Sequence, residues 1–457
     1  MSEGGLNPFI VKDNSKCGTE ETVKGTIPLL SQKILNQNVR RLQSSLLFLF
    51  PIPENKEKEK YEDIFASDRQ CILESDTKGE VHTGNIVGFV GLGRERLIIR
   101  SRFAEDDDYF FQYLLERITG LSIMEMKANR GEEGVLQLLP LLFPRFLSMA
   151  IKKGPYREYV SRSYNDPHFR GKLDTSRYIK QNIPFTGNIS YKRQVFSSSN
   201  PVMELVRCTA DFIGKSHKHL LSVVKNELDE VERETPDYKF RDMQRIISQN
   251  EAHRVKNPLY LEYAKLQRLC LAILRNRKIS YGTAMPEQLY GILFDCSYLW
   301  EEYIAMVLGD IFDHPRNIFG EKAHHLFFCN VGNHPLNGRI YPDFISRSFP
   351  TVIADAKYKP SENIKGDDLR RMALYLWRFD SKSGHFIYPE DSWEKSKRTW
   401  EKCQGDRFKG QKEIGDGNVI LDTYPIHVPK GSESFKTFAN SMKESERDLT
   451  KWARQFK

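Results

Sequence analysis

No two of the seven cysteines in this 457-residue chain form a CxxC pair, and the seven are widely scattered. An odd, unpaired set argues against a disulfide framework and a zinc ribbon or finger, and it fits a reducing compartment. The first residues lack a basic segment followed by an apolar core, so no secretory signal is expected. Long hydrophobic runs are also missing. The most apolar stretch, residues 135–151, is interrupted by Pro140, Pro144 and Arg145 and is too short to span a bilayer. These absences imply a cytoplasmic protein with no membrane contact. Gly-x-Ser-x-Gly is absent, and no cysteine sits in a nucleophile motif. Gly214-Lys215-Ser216 ends like a phosphate-binding loop, but Thr209 stands where that loop needs its first glycine, so no nucleotide is expected on this chain. Gly88, Gly91 and Gly93 have the wrong order for a dinucleotide fingerprint and read as a hairpin turn. The pairs His324-His325 and His217/His219 read as structural or surface histidines.

What is present suffices for buried cores: 39% of the residues are hydrophobic and 12% aromatic, in a length that suits two to three domains. The formal charge of +8 is compatible with a polyanionic partner without requiring one. The texture is α+β and multidomain. Residues 1–104 read as a β-rich domain of short apolar runs broken by Gly, Asn and Asp, with a charged excursion at residues 54–61. Residues 105–285 read as a mainly helical middle region, opened by an acidic turn at residues 105–108. Residues 286–457 read as an α/β core in which strand-like runs alternate with helices, closed by a charged terminal helix. Within the middle region, residues 152–193 hold ten Lys/Arg against three acids, a net +7, with Tyr156, Tyr159, Tyr164, Phe169, Tyr178 and Tyr191 interleaved. That mixture suits phosphate neutralisation and stacking on sugars or bases, although an ordinary amphipathic surface has the same composition.

One constellation carries chemistry. Pro342-Asp343 and Asp355-Ala356-Lys357 lie on neighbouring strand candidates, with eleven residues between the aspartates. Residues two apart on a strand face one side, so Asp355 and Lys357 should project together. Asp343 joins them if the two strands form a hairpin turning at residues 347–350. Two carboxylates can hold one or two hard divalent cations, and a nearby ammonium can orient or stabilise the attacking group in phosphodiester hydrolysis. Asp-x-Lys alone also occurs as a surface ion pair. Here both acids sit in or beside apolar runs, where uncompensated charge is costly.

Tyr341-Pro342-Asp343-Phe344, Asp355-Ala356-Lys357-Tyr358-Lys359 and the upstream Leu299-Trp300-Glu301-Glu302-Tyr303 resemble the PD-(D/E)xK nuclease superfamily. The Asp-Ala-Lys-Tyr-Lys form resembles in particular the McrC-like nuclease subunits of McrBC-type and LlaJI-type restriction systems. Phe169-Arg170-Gly171-Lys172-Leu173-Asp174 is similar to an RGxxD-type segment of that family. Residues 198–205 are similar to its helix entry, and residues 86–103 to an N-terminal hairpin ending in a basic strand.

The resemblance implies a C-terminal PD-(D/E)xK core with Asp343 and Asp355 as Mg²⁺ ligands, Lys357 as catalytic lysine and Glu301 as the helix-borne acid, with adjacent Glu302 competing for that role. It implies an endonuclease acting on double-stranded, possibly methylated DNA beside an AAA+ McrB-like GTPase hexamer, with GTP on the partner and the N-terminal β-rich domain as docking part. The helix after the lysine departs from the related Gln-x-x-x-Tyr pattern, reading Arg371-Met372-Ala373-Leu374-Tyr375. Two other functions fit the same residues: a non-catalytic activator or DNA clamp of the motor, and a stand-alone DNA nuclease.

Overall fold

A computed structural model of the chain describes residues 8–42, 46–51, 70–121, 132–280, 288–315, 324–328, 336–392, 397–405 and 411–457. The charged excursion at residues 54–61 lies outside them. Two compact units divide the chain: Met1–Val135 with Met285–Lys457, and Leu136–Ala284. The expected boundary at 286 falls within one residue of the observed one, that at 104 does not, and the expected first and last domains form one unit. The reason is strand Tyr290–Asp295, which inserts into the N-terminal sheet, antiparallel to Ile86–Leu92 and parallel to Leu46–Phe50.

That five-stranded sheet has the order Phe9–Lys12, Glu95–Arg100, Ile86–Leu92, Tyr290–Asp295, Leu46–Phe50. Glycine permits the insertion. Gly88 and Gly291 adopt φ of +139° and +137°, and a Cβ on either would lie 2.0 and 2.2 Å from a carbonyl oxygen of the facing strand. The helix after the inserted strand, Cys296–Leu308, starts where Asp295 accepts from the backbone N–H groups of Ser297 and Tyr298. It carries Leu299, Trp300, Tyr303, Ile304 and Leu308 into the core. Trp300 is fully buried, a contribution of roughly 2–3 kcal/mol for an aromatic of its size.

Trp300 Nε1 donates to Ile387 O at 3.1 Å in the second sheet of the unit, so one helix joins both sheets. This six-stranded sheet runs Phe312–Asp313, Phe344–Ser346, Val352–Ala356, Ser383–Glu390, Ile414–His427, Thr399–Gln404. Val352–Ala356 and Ser383–Glu390 pair in parallel and are linked through helix Gly366–Arg378, a βαβ crossover. The crossover helix buries Met372, Tyr375 and Leu376, at helical spacing, against Ile353, Phe386 and Tyr388. The last helix, Phe435–Ala453, buries Phe438, Met442, Leu449 and Ala453 along one face.

The second unit combines helices with a small sheet that the reading of residues 105–285 as mainly helical did not place. Helices Pro201–Gly214, Lys225–Glu234, Met243–Ala252 and Leu261–Ser280 are joined by a three-stranded sheet of Glu158–Asp166, Ile189–Ser197 and Lys172–Leu173, which contains much of the basic segment. Asn200 caps the first of these helices through the N–H groups of Val202 and Met203, with Pro201 in its first turn. Among the described residues no helix is long and apolar enough to cross a membrane.

His385 gives this fold a pH signature. Its Nε2 lies 2.9 Å from Ser383 Oγ, and its ring packs on Trp452 and Phe456 of the C-terminal segment. Burial holds the imidazole down to about 4. A histidine depressed in the folded state contributes stability that is present above its unfolded value, near 6.5, and lost as pH falls through the folded value. Lowering the pH from 7 to 4.5 should therefore cost wild type about 2.5 kcal/mol more than His385→Asn, read as the difference between their urea midpoints. Equal pH dependence in the two proteins would refute this account.

Candidate active site

Strand Val352–Ala356 opens on apolar Val352, Ile353 and Ala354 and is buried through Asp355, because it lies inside the six-stranded sheet. Its antiparallel partner Phe344–Ser346 pairs Phe344 with Ala354 and Ile345 with Ile353. Extending that register by one residue sets Asp343 opposite Asp355. The hairpin turns through residues 347–351, as the sequence spacing requires. Asp343 Oδ2 accepts from the Ala356 N–H at 2.8 Å, which fixes one carboxylate beside the other.

Lys357 keeps its backbone in the sheet, donating its N–H to Ile387 O at 2.8 Å, the same carbonyl that accepts from Trp300. Its Nζ lies 2.7 Å from Asp355 Oδ2. The structure thus brings Asp343, Asp355 and Lys357 together. Asp355 is only 2% exposed, so the ammonium is its main charge compensation.

The electrostatics of the two aspartates diverge. Burial raises the Asp343 carboxyl well above the ordinary aspartate range, and the negative charges of Asp355 and Glu301 raise it further. Burial pushes Asp355 the same way, but the Lys357 ammonium and a hydrogen bond with Asp343 together hold it below the usual value. Burial acts against the charged lysine, and the Asp355 and Asp343 carboxylates more than offset it, so Lys357 titrates higher than usual. The two aspartates are thus pushed apart: the environment favours the neutral form of Asp343 and the ionised form of Asp355, which faces Lys357.

Of the two candidate glutamates, Glu301 is the one whose charge acts on Asp343. Glu302 is buried. Glu301 still stands apart from the aspartates: among the described residues the metal-type cluster is Asp76, Glu80 and His82, in the hairpin of strands Leu73–Ser75 and Glu80–Thr83, and not the three acids of this site. Asp76 and Glu80 are otherwise engaged there, Asp76 by the backbone N–H groups of Lys78 and Glu80, and Glu80 by Lys16.

Several residues around the site were not singled out by sequence. His314 Nδ1 lies 2.7 Å from Asp343 O, its Nε2 3.4 Å from Glu301 Oε1, and its ring rests on Phe344. It therefore links the helix glutamate to the backbone of Asp343. Asp368 lies 2.6 Å from Lys359 Nζ and 3.8 Å from Lys357 Nζ, placing a third carboxylate behind the lysines. The acidic opening of the crossover helix, Asp367-Asp368, is the signal that could have found it. Arg371, at the position where related nucleases carry glutamine, contributes positive charge that favours ionised Asp355. Tyr375 is buried, and its hydroxyl donates to Tyr341 O at 3.1 Å, holding the approach to Asp343.

The buried pair makes a stability prediction. A carboxylate whose folded value is raised costs stability once the pH rises above its unfolded value. Asparagine at 343 still accepts from Ala356 N–H and carries no charge. Asp343→Asn should therefore melt at higher temperature than wild type in EDTA at pH 8, with the gap closing towards pH 4. A variant that melts lower at pH 8 would show that the repulsion described here is not felt.

Three comparisons bear on what the site belongs to. A family model described as the McrBC 5-methylcytosine restriction system component matches residues 81–389. Among solved structures, a half-complex from the tetradecameric assembly of Thermococcus gammatolerans McrB AAA+ hexamers with bound McrC is similar at 16% identity, covering 96% of this chain and 100% of that one, with a TM-score of 0.41. The cryo-EM structure of the Thermococcus gammatolerans McrBC complex is similar at 14% identity, covering 70% and 90%, with a TM-score of 0.30. Superpositions this loose carry no argument of their own. No curated protein matches.

Proposed function

The chain belongs to the McrBC 5-methylcytosine restriction system component family, and from that premise we propose that it is the McrC-like endonuclease subunit, cutting double-stranded DNA with Mg²⁺ at Asp343, Asp355 and Lys357. In this reading the six-stranded sheet with its crossover helix is a PD-(D/E)xK core. The observation that carries the proposal is the geometry of the two aspartates, set side by side by the Ala356 N–H, with the Lys357 ammonium 2.7 Å from Asp355. A divalent cation suits such a pair, because it lets both carboxylates ionise and offers them a hard, oxygen-seeking partner. The donor set therefore fits Mg²⁺, with Asp343 and Asp355 as ligands and Glu301 as the additional acid, through its own oxygen or an intervening water.

Bound there, the cation would supply activation of water and neutralisation of charge on the phosphate. The chain's residues do the rest. Lys357, kept charged by Asp355 and Asp343, presents a compact ammonium to the scissile phosphate or the attacking water. His314 and Tyr375 hold the backbone around Asp343, so the carboxylates are set before DNA arrives. Membership of the family supports an AAA+ GTPase hexamer as partner, with the nucleotide on that partner, and DNA carrying modified cytosine as substrate. The N-terminal β-rich part is the proposed docking and stimulating element.

The test combines the purified chain, its cognate AAA+ partner, GTP, Mg²⁺ and cytosine-methylated plasmid. Wild type should linearise the plasmid; Asp343→Asn and Lys357→Ala should lower the rate by at least about 100-fold. Both variants should still stimulate the partner's GTP hydrolysis. Cleavage by both variants at the wild-type rate would sink the assignment. Glu301→Gln should slow cleavage and Glu302→Gln should not, which decides between the two glutamates.

A further inference from the structure

The strand that carries Asp355 leaves the sheet one residue too soon for its lysine. Pairing of Val352–Ala356 with Ser383–Glu390 ends at Ala356, and Lys357 keeps one backbone hydrogen bond beyond it, to Ile387 O. An ammonium on a flexible four-carbon stem is placed no better than the backbone that bears it. The next fixed point is the side chain of Tyr358. Successive side chains leave an extended chain on opposite sides, so with Lys357 turned to Asp355 the Tyr358 ring turns away from the acids. There it is buried and lies nearly parallel to Phe110, with 12° between the rings. Its hydroxyl finds no hydrogen bond of ordinary geometry among the described residues, so the ring and not the hydroxyl is the anchor.

Arg102 holds that ring. Its guanidinium lies 4.4 Å from the Tyr358 centroid and 4.6 Å from that of Phe103. Asp13 supplies the counter-charge, 3.9 Å from Nη1, and also accepts from the Arg102 backbone N–H. Neither Nη1 nor Nη2 has a hydrogen-bond acceptor among the described residues, and both are buried. A buried guanidinium with unbonded donors is a costly way to fill space, and an apolar side chain would pack there at less cost. What the guanidinium adds is a directional hold on an aromatic face.

We propose that Arg102 is a positioning residue of the active site, fixing through the Tyr358 ring the backbone that carries Lys357. The seat of the lysine then depends on the N-terminal sheet. Asp13 directly follows strand Phe9–Lys12, Arg102 comes two residues after strand Glu95–Arg100, and these strands pair in parallel with Lys12 beside Arg100. That sheet lies in the part assigned above to the AAA+ partner, so the partner-facing part and the cleavage centre meet at one buried side chain. The proposal rests on the nuclease reading of Lys357.

The experiment measures single-turnover cleavage of methylated plasmid by the full chain with saturating AAA+ partner, GTP and Mg²⁺, beside the partner's GTP hydrolysis. Arg102→Gln should lower the cleavage rate at least about tenfold and leave GTPase stimulation within about twofold of wild type. Arg102→Lys, which keeps a cation on the ring, and Tyr358→Phe, which keeps the ring, should each retain most of the rate. Tyr358→Leu should fall as Arg102→Gln does. Arg102→Gln/Tyr358→Leu should be no slower than Tyr358→Leu alone, because both changes act through one ring. Losses that multiply in the double variant would overturn the proposal, since the two residues would then act separately. So would GTPase stimulation that declines in step with cleavage, which makes Arg102 a plain support of the fold. Absence of cleavage by wild type would remove the nuclease reading and this proposal with it. Cleavage by wild type and by Arg102→Gln at equal rates, with Lys357→Ala inactive, would remove the proposal alone.

Discussion

Two carboxylates held side by side in a low-dielectric setting cannot both be ionised unless positive charge arrives from elsewhere. Much of the chain around residues 343–375 follows from that constraint. Asp343 and Asp355 are adjacent because a short antiparallel register leaves no alternative, and the Ala356 N–H fixes the distance between them. Lys357 answers part of the charge at 2.7 Å from Asp355, with Asp368 3.8 Å from the same ammonium. The negative charge of Asp355 and Glu301 that remains is felt by Asp343, whose carboxyl titrates above the ordinary range.

The lysine strand is held from the other side by the N-terminal sheet. Tyr358 follows Lys357 and is buried between Phe110, which stacks on it at 6.4 Å, and the Arg102 guanidinium, 4.4 Å above its ring. Arg102 in turn lies 3.9 Å from Asp13, a carboxyl whose titration burial raises, and Asp13 accepts from the Arg102 N–H. Helix Cys296–Leu308 adds a second tie, starting at the inserted strand and ending its indole contact on Ile387, one hydrogen bond away from Lys357. Residues of the N-terminal sheet and of the catalytic candidate therefore share one packed framework. Displacing Tyr358 would displace the residue next to it.

How much of this the sequence made legible depends on the range of the interactions. The hairpin of residues 86–100, the helix opened by Asp108, the crossover helix and the paired aspartates are local patterns, and each lies where its pattern puts it. Strand Tyr290–Asp295 could not be assigned to the N-terminal sheet, because its pairing partner is some 200 residues away and an apolar strand reads alike in any sheet. Edge strand Thr399–Gln404 is polar and mostly exposed, so it has no buried face to betray it. Periodicity did not separate Glu301 from Glu302; their partners in space do. His314 lay beyond reach for the same reason, since its two contacts come from Glu301, 13 residues back, and Asp343, 29 residues on.

The two charged features of the chain differ in how strongly physics marks them. A buried carboxylate pair would cost several kcal/mol if left uncompensated, so its neighbours are constrained and its context in the sequence is informative. Surface arginines facing each other cost only tenths of a kcal/mol each in water and salt, so a fold can tolerate them without a reason that composition reveals.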